Sequence, residues 1–246
     1  VCATRDDHKS RGRHTQFEAS TNPAVHFRCL SLGRPRMKTI SALLAVAVAF
    51  FVYFYLHLPI TYPAGILIDS EPTQTASGDG ERVIAHGEYA LKVLARFSID
   101  ARILHRKLYG YDPGSKLVPV DLAVGWGPMS DQGVLDHLKI SQSMRFYWYE
   151  YQLPPPIPKE QIISHSTNLH VIPATPAVTS FCKSLRQGEL VHLEGELVEA
   201  TGPEIGTWRS SLSRTDTGNG ACELMLVEDC SKLNRAENKP AALVRR

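Results

Sequence analysis

Apolar or aromatic residues occupy every second position from Tyr89 to Ile103, namely Tyr89, Leu91, Val93, Ala95, Phe97, Ile99, Ala101 and Ile103. Lys92, Arg96, Ser98, Asp100 and Arg102 lie between them. Successive side chains of a strand point to opposite faces, so a period of two sustained this long describes a half-buried strand. A helix through the same residues would scatter the apolar groups around its circumference. The stretch therefore predicts two consecutive strands or one long bent one, and a fold organised by a sheet.

The remaining pattern supports that class. Asp112-Pro113-Gly114 is a turn signal, Val118–Val124 a short strand, and Gly125-Trp126-Gly127-Pro128 a break after it. Ser130 stands where an N-cap would begin a short helix carrying Val134, Leu135 and Leu138. Met144–Tyr151 reads as a strand with aromatic groups on both faces, and Leu153–Pro158 as extended polyproline II. Asn168–Ile172 is a further short strand. The clearest helix is Pro176–Gln187, capped by Thr175, ended by Gly188, with Val178, Phe181, Cys182 and Leu185 on one stripe. In Glu189–Glu199, Val191, Leu193, Gly195 and Leu197 share one face, and Gly195 suits a bend or bulge. Thr207–Leu212 and Ala221–Val227 are expected to pair as a hairpin around residues 213–220. The expected fold is α+β and strand-dominated, a small partly open β-barrel of OB type with two short helices, preceded by one transmembrane helix. The exported domain is expected over residues 82–231, with a linker at 61–81 and a frayed polar tail at 232–246.

From Thr39 to Leu58 the chain carries no formal charge, and Ile40–Leu58 is almost wholly apolar or aromatic. About 20 residues at 1.5 Å rise match the ~30 Å hydrocarbon core of a bilayer. Arg34, Arg36 and Lys38 flank the N-terminal side, and the first charge beyond the segment is Asp69. The positive-inside rule then places the N-terminus in the cytoplasm and the body across the membrane. The exit from the segment is bulky (Phe54 to Pro59), which favours an uncleaved signal-anchor over residues 37–60 against a cleaved signal peptide. Residues 1–36 lack methionine and apolar periodicity; they read as a disordered tail or, preferably, as a reading frame extended upstream of a natural start at Met37.

Charge divides along the same boundary. Residues 1–60 hold 8 Lys/Arg against 3 Asp/Glu, whereas residues 61–246 hold 19 against 22. A mildly acidic body without a basic stripe argues against nucleic acid as a partner. No Cys-x-x-Cys or His-Glu-x-x-His spacing is present, so neither metal nor cofactor is expected. His165 and His170 are spaced for neither one helical face nor one strand face, and turn capping explains them more simply than ligation. Asp216-Thr217-Gly218 matches the aspartic-protease tripeptide, but only one copy exists and its preceding residues are polar, as in a hairpin loop. Binding candidates are Arg145, Tyr147, Tyr149 and Tyr151 on one face of the aromatic strand, with Trp126, His165, Asn168 and His170, because Tyr, Trp and Arg concentrate at binding surfaces. Cys182, Cys222 and Cys230 would lie in an oxidising compartment. Cys222 and Cys230 on one extended strand are too far apart to pair, so Cys182 is expected to bond to one of them, unless all three are reduced.

Three segments, Pro119–Asp131, His165–Ala174 and Trp208–Glu223, resemble an uncharacterised group of bacterial single-pass membrane-anchored envelope proteins. The resemblance spans about Tyr89–Glu228; it implies bacterial origin and an anchored topology and supplies no activity or catalytic residue. Together these features lead to a membrane-tethered, non-enzymatic domain in the periplasm, held to the inner membrane by Thr39 to Leu58 and binding an envelope protein or polymer. The alternative is an envelope hydrolase using the His165/His170 region. A periplasm-dependent reporter fused after Val227 is expected to be active, and activity of a cytoplasm-dependent reporter alone at that site would refute this topology.

Overall fold

The computed structural model describes residues 37–234 except His57, Asp79, Thr217 and Asn219. The extension expected at 1–36 and residues 235–246 of the expected tail lie outside the described residues. Helix α1, Met37–Leu56, is a 20-residue run without Gly or Pro, and Pro59 stands shortly after its end. Among the described residues no helix is long and apolar enough to cross a membrane; within α1, Thr39–Tyr55 is described in full.

Beyond α1 the chain forms a strand-dominated α+β arrangement. The strands are β1 (Thr73–Ala76), β2 (Val83–His86), β3 (Tyr89–Leu108), β4 (Val120–Gly125), β5 (Leu138–Ser143), β6 (Phe146–Tyr151), β7 (Ser166–Pro173), β8 (Leu190–Gly202), β9 (Gly206–Arg209) and β10 (Glu223–Lys232). Three short helices accompany them: α2 (Gln132–Leu135), α3 (Lys159–Ser164) and α4 (Pro176–Ser184). Strand β3 pairs antiparallel with β4, β4 with β7, and β7 runs parallel to β10. Strand β10 pairs antiparallel with β8, which pairs antiparallel with β3, so the path of pairings returns to its start. Strands β1 and β2 add to β3, β9 adds to β8, and β5–β6 form a separate two-stranded hairpin.

The long alternating stretch is thus one 20-residue strand, and two register shifts explain its length. On β3 the pairing skips Leu94, between Val93 and Ala95, and Leu104, between Ile103 and His105. Each bulge inserts one residue and reverses which face the following side chains take. Tyr89 and Leu91 accordingly pack in an outer cluster with Ile172, Val198 and Leu226. Ala95 to Ile103 pack in the main core with Leu122, Leu169, Leu193 and Met225. Leu104 turns outward again, into a third cluster with Ala123, Met129 and Ile162. Helix α4 begins as expected, with Pro176 in its first turn and Thr175 Oγ1 accepting from the Val178 amide. It ends at Ser184, and Val178, Cys182 and Leu185 are buried in the main core.

Several expectations are corrected. Residues 61–81 are not a free linker: the Ile60 amide donates to Gln187 O, the Leu67 and Ile68 amides donate to Ser130 Oγ, and β1 pairs with β3. Ser130 is occupied by those bonds, so Asp131 caps α2 by accepting from the Gly133 amide, and Leu138 opens β5 instead of ending the helix. Strand β9 folds back on β8, Glu199 opposite Arg209, across the tight Gly202–Gly206 turn, and does not pair with β10. Strand β10 instead lies between β7 and β8, and its pairing extends to Lys232, into the segment expected to fray.

Gly195 faces the core between Phe97 of β3 and Val227 of β10, beside the β10 bulge at Glu228. A Cβ there would stand 1.9 Å from Leu226 O, in backbone that has little freedom to retreat. Gly195→Ala is therefore expected to destabilise the domain by about 1–3 kcal/mol. Gly110→Ala, with nothing within 4 Å of its Cβ, should leave the thermal midpoint unchanged. Equal midpoints for the two variants in thermal denaturation would contradict this account.

Candidate functional site

The outer face of β4 and β7 carries a buried charge cluster. Asp121 of β4 stands opposite His170 of β7 and is fully buried. Arg145 reaches it from the turn between β5 and β6, its Nη1 donating to Asp121 Oδ1 and to Val118 O, each at 2.9 Å. The same guanidinium donates to both oxygens of Asp112, at 2.6 and 2.9 Å, and lies 3.6 Å from the centre of the Tyr109 ring. His170 Nδ1 lies 3.0 Å from Asp121 Oδ1 but out of hydrogen-bond alignment, and its ring packs 4.8 Å from Trp208. Met144 and Arg145 both adopt left-handed backbone, φ 49° and 68°. Two such non-glycine residues form a two-residue hairpin turn at a conformational cost, which the fork of Arg145 bonds offsets.

The hairpin is laid along the sheet by further polar contacts. Asn168 Nδ2 donates to Arg145 O at 3.0 Å, and Gln142 Nε2 donates to Asn168 Oδ1. Gln142 Oε1 meets His105 Nδ1 at 2.9 Å, and the Tyr147 hydroxyl reaches Ser166 Oγ at 3.4 Å. Tyr147, Tyr149 and Tyr151 form a ladder of rings, 5.9 and 6.3 Å between centres, on the third apolar cluster. Burial raises the Tyr147 phenol pKa.

Between β6, α3, the start of β7 and the loop before β10 lies a cleft of about 360 Å³. Phe146, Tyr147, Trp148 and Tyr149 form its aromatic wall; Ser166, Thr167, Asn168, Asp216 and Cys222 form the polar one, with Lys159 and Ile163 from α3. A larger recess of about 790 Å³ between Asp136–Lys139 and Glu150–Pro156 lies across the hairpin. It lacks the buried polar groups that converge on the cleft, and convergence of a few polar groups in an aromatic hollow is what marks a ligand site. Burial pushes the Cys222 thiol up to about 12, which favours its protonated form. Beneath it Glu223 is buried; Thr167 Oγ1 donates to one carboxylate oxygen, and Arg214 pairs with the other at 2.5 Å. Burial pushes the Glu223 carboxyl up to about 7 against the opposing pull of Arg214 and Thr167.

Of the residues singled out in the sequence, Tyr147, Tyr149 and Asn168 line this cleft. Arg145 and His170 are engaged in the charge cluster, and Tyr151 lies in the ring ladder beyond the cleft lining. Trp126 is a core residue, its Nε1 donating to Glu71 Oε2 at 2.7 Å. His165 sits against Gly127, its Nδ1 within 3.0 Å of Gln161 O and its Nε2 3.4 Å from Glu71. His165 and His170 thus have separate surroundings, and among the described residues no group of three His, Cys, Asp or Glu could hold a metal ion. Asp216 lies in the loop after β9, accepting from Ser211 Oγ at 2.6 Å. Cys182, Cys222 and Cys230 are all free thiols, so the expected bond from Cys182 is not formed. Lys159, Thr167 and Cys222 were not legible as site residues, because only the fold brings α3, the start of β7 and the loop before β10 to the aromatic strand.

No protein-family model matches the chain, no curated protein matches it, and no solved structure matches its fold.

The pKa of Glu223 is raised in the folded protein above its ordinary value of 4.5, to about 7. The folded state then binds a proton that the unfolded state releases between those values, so stability falls as pH rises from about 4.5 to 7. The penalty is complete above 7 and absent below 4.5, and amounts to about 3 kcal/mol. Glu223→Gln should flatten this dependence in thermal melts from pH 5 to 8, and an unchanged slope would show that Glu223 does not titrate in that window.

Proposed function

We propose that this chain is a membrane-tethered, extracytoplasmic binding domain that holds an envelope polymer in the cleft beside Tyr147 and Tyr149. The segment from Thr39 to Leu58 serves as an inner-membrane anchor with the N-terminus cytoplasmic, a reading supported by its lack of charge and by Arg34, Arg36 and Lys38 on one side. The folded body is a small barrel of OB type made of β3, β4, β7, β10 and β8. Supporting this are the closed path of pairings, the parallel β7–β10 pair and the position of α4 between β7 and β8.

In such barrels the outer face of the second and third strands and the adjoining loops take extended polymers. Here that face belongs to β4 and β7, and the chain's own β5–β6 hairpin covers it through Arg145, Gln142 and Tyr147. A ligand is thereby directed to the margin of the hairpin. The observation that carries the proposal is the cleft at that margin, lined by the aromatic run Phe146 to Tyr149 of β6 together with Ser166, Thr167 and Asn168. Aromatic faces stack on the apolar faces of sugar rings, and Trp148, half exposed at the rim, adds to that surface. Lys159 makes no ion pair among the described residues and offers a cation at the mouth for acidic substituents of the polymer.

Soluble peptidoglycan fragments of two to four disaccharides provide the test, titrated into full-length protein in nonionic detergent while tryptophan emission is followed. A saturable change is expected, weakened at least tenfold by Tyr149→Ala combined with Lys159→Ala. Absence of saturation, or an equal response from the double variant, would overturn the proposal.

A further inference from the structure

A second, smaller cavity of about 180 Å³ lies under the segment Pro59–Thr61, between β3 and the α2–β5 connection. It shares no residue with the aromatic cleft. Arg102 forms part of its wall and is only 3% exposed. Its Nη1 donates to Ser130 O at 3.0 Å, and its Nη2 to Ile60 O at 3.3 Å and to Gln132 Oε1. Those acceptors are all neutral. The Tyr62 ring lies 5.0 Å away, and Arg102 Nε has no hydrogen-bond partner among the described residues. No carboxylate of the described residues comes within ion-pair distance of the guanidinium; Asp136 and Asp131 act on it only from farther off. Burial outweighs them and lowers its pKa.

Arginine stays charged in proteins, so the site is a desolvated cation with a free donor and no counter-charge in contact. Anchoring the 59–68 segment accounts for the two Nη groups and leaves Nε and the charge unexplained. The remaining lining is mixed, apolar at Ile60, Leu135, Leu138 and Ile140 and polar at Gln132, Asp136 and Gln187. We infer that this cavity is a binding site for a small monocarboxylate with an aliphatic body, its carboxylate paired to Arg102 and its chain against the apolar walls. A dianion such as phosphate fits poorly, because Arg102 is the only cation in the lining and one guanidinium leaves the second negative charge uncompensated. The volume holds about six water-sized groups, which corresponds to butanoate or slightly longer chains.

Isothermal titration of the full-length protein in nonionic detergent tests this with acetate, butanoate, hexanoate, hexan-1-ol and inorganic phosphate. Affinity is expected to rise about three- to fourfold per methylene from acetate to hexanoate, with hexan-1-ol and phosphate both weaker than hexanoate. Arg102→Met should abolish saturable carboxylate binding. Because that change also removes bonds to Ser130 and Ile60, Leu135→Phe provides a second variant that fills the cavity and leaves the guanidinium in place. It should block binding while the melting curve stays cooperative. The inference fails if no carboxylate saturates, if hexan-1-ol or phosphate binds as tightly as hexanoate, or if binding survives in Leu135→Phe. Peptidoglycan titration of the same variants reports on the aromatic cleft independently.

Discussion

Both edges of β3 are hydrogen-bonded along most of its length, and this double pairing holds the remaining strands in place. Residues 90–102 pair with β8 on one side, while β2, β1 and then β4 succeed one another on the other. A strand of 20 residues cannot serve so many partners as a flat ribbon, since the partners belong to different parts of a curving sheet. The bulges at Leu94 and Leu104 supply the curvature and twist. They also let one unbroken alternation of apolar residues feed the outer cluster first and the main core afterwards. Gly195 is the complement on the other side, where β10 approaches too closely for any side chain.

The charge cluster around Arg145 acts one level higher, on how the hairpin meets the sheet. Asp121, fully buried between β4 and the hairpin, would be costly without a cation beside it. Arg145 satisfies it together with Asp112 and the Val118 carbonyl, and so ties the β3–β4 loop, β4 and the β5–β6 turn to one guanidinium. Removing one partner of a buried pair costs more than the pair itself contributes, because the other charge is left desolvated. With the hairpin held in this way, Tyr147 and Tyr149 form one wall of the cleft and the start of β7 forms part of the other. The aromatic strand acts as packing on its Tyr147, Tyr149 and Tyr151 side, while Trp148 remains half exposed.

Buried ionisable groups differ according to what surrounds them. Glu223 has both oxygens occupied by Thr167 and Arg214, yet burial still dominates its proton affinity. Arg96, nearer the surface, lies among Glu194, Glu196 and Glu228, and its pKa is raised by them. Arg102 has neutral acceptors only, which sets it apart from the other two. The contrast follows from geometry: a carboxylate across a strand pair supplies charge where it is needed, whereas carbonyl dipoles leave the net charge in place.

Local chemistry was enough to establish the strand character of Tyr89–Ile103, the Thr175 cap and Pro176 start of α4, and the inward face of Val191, Leu193 and Leu197. Each of these depends on periodicity or on a capping group within a few residues, and both are written in the order of the chain. The same local signals misassigned Ser130, whose hydroxyl is taken by Leu67 and Ile68, and paired β9 with the wrong strand. Tertiary structure alone decided that residues 59–76 belong to the domain, that Arg145 and His170 meet at Asp121, and that Asp216 and Cys222 come to the aromatic strand. These contacts join residues from 24 to more than 60 positions apart, and a buried polar group takes whichever partner the folded chain brings within about 3 Å.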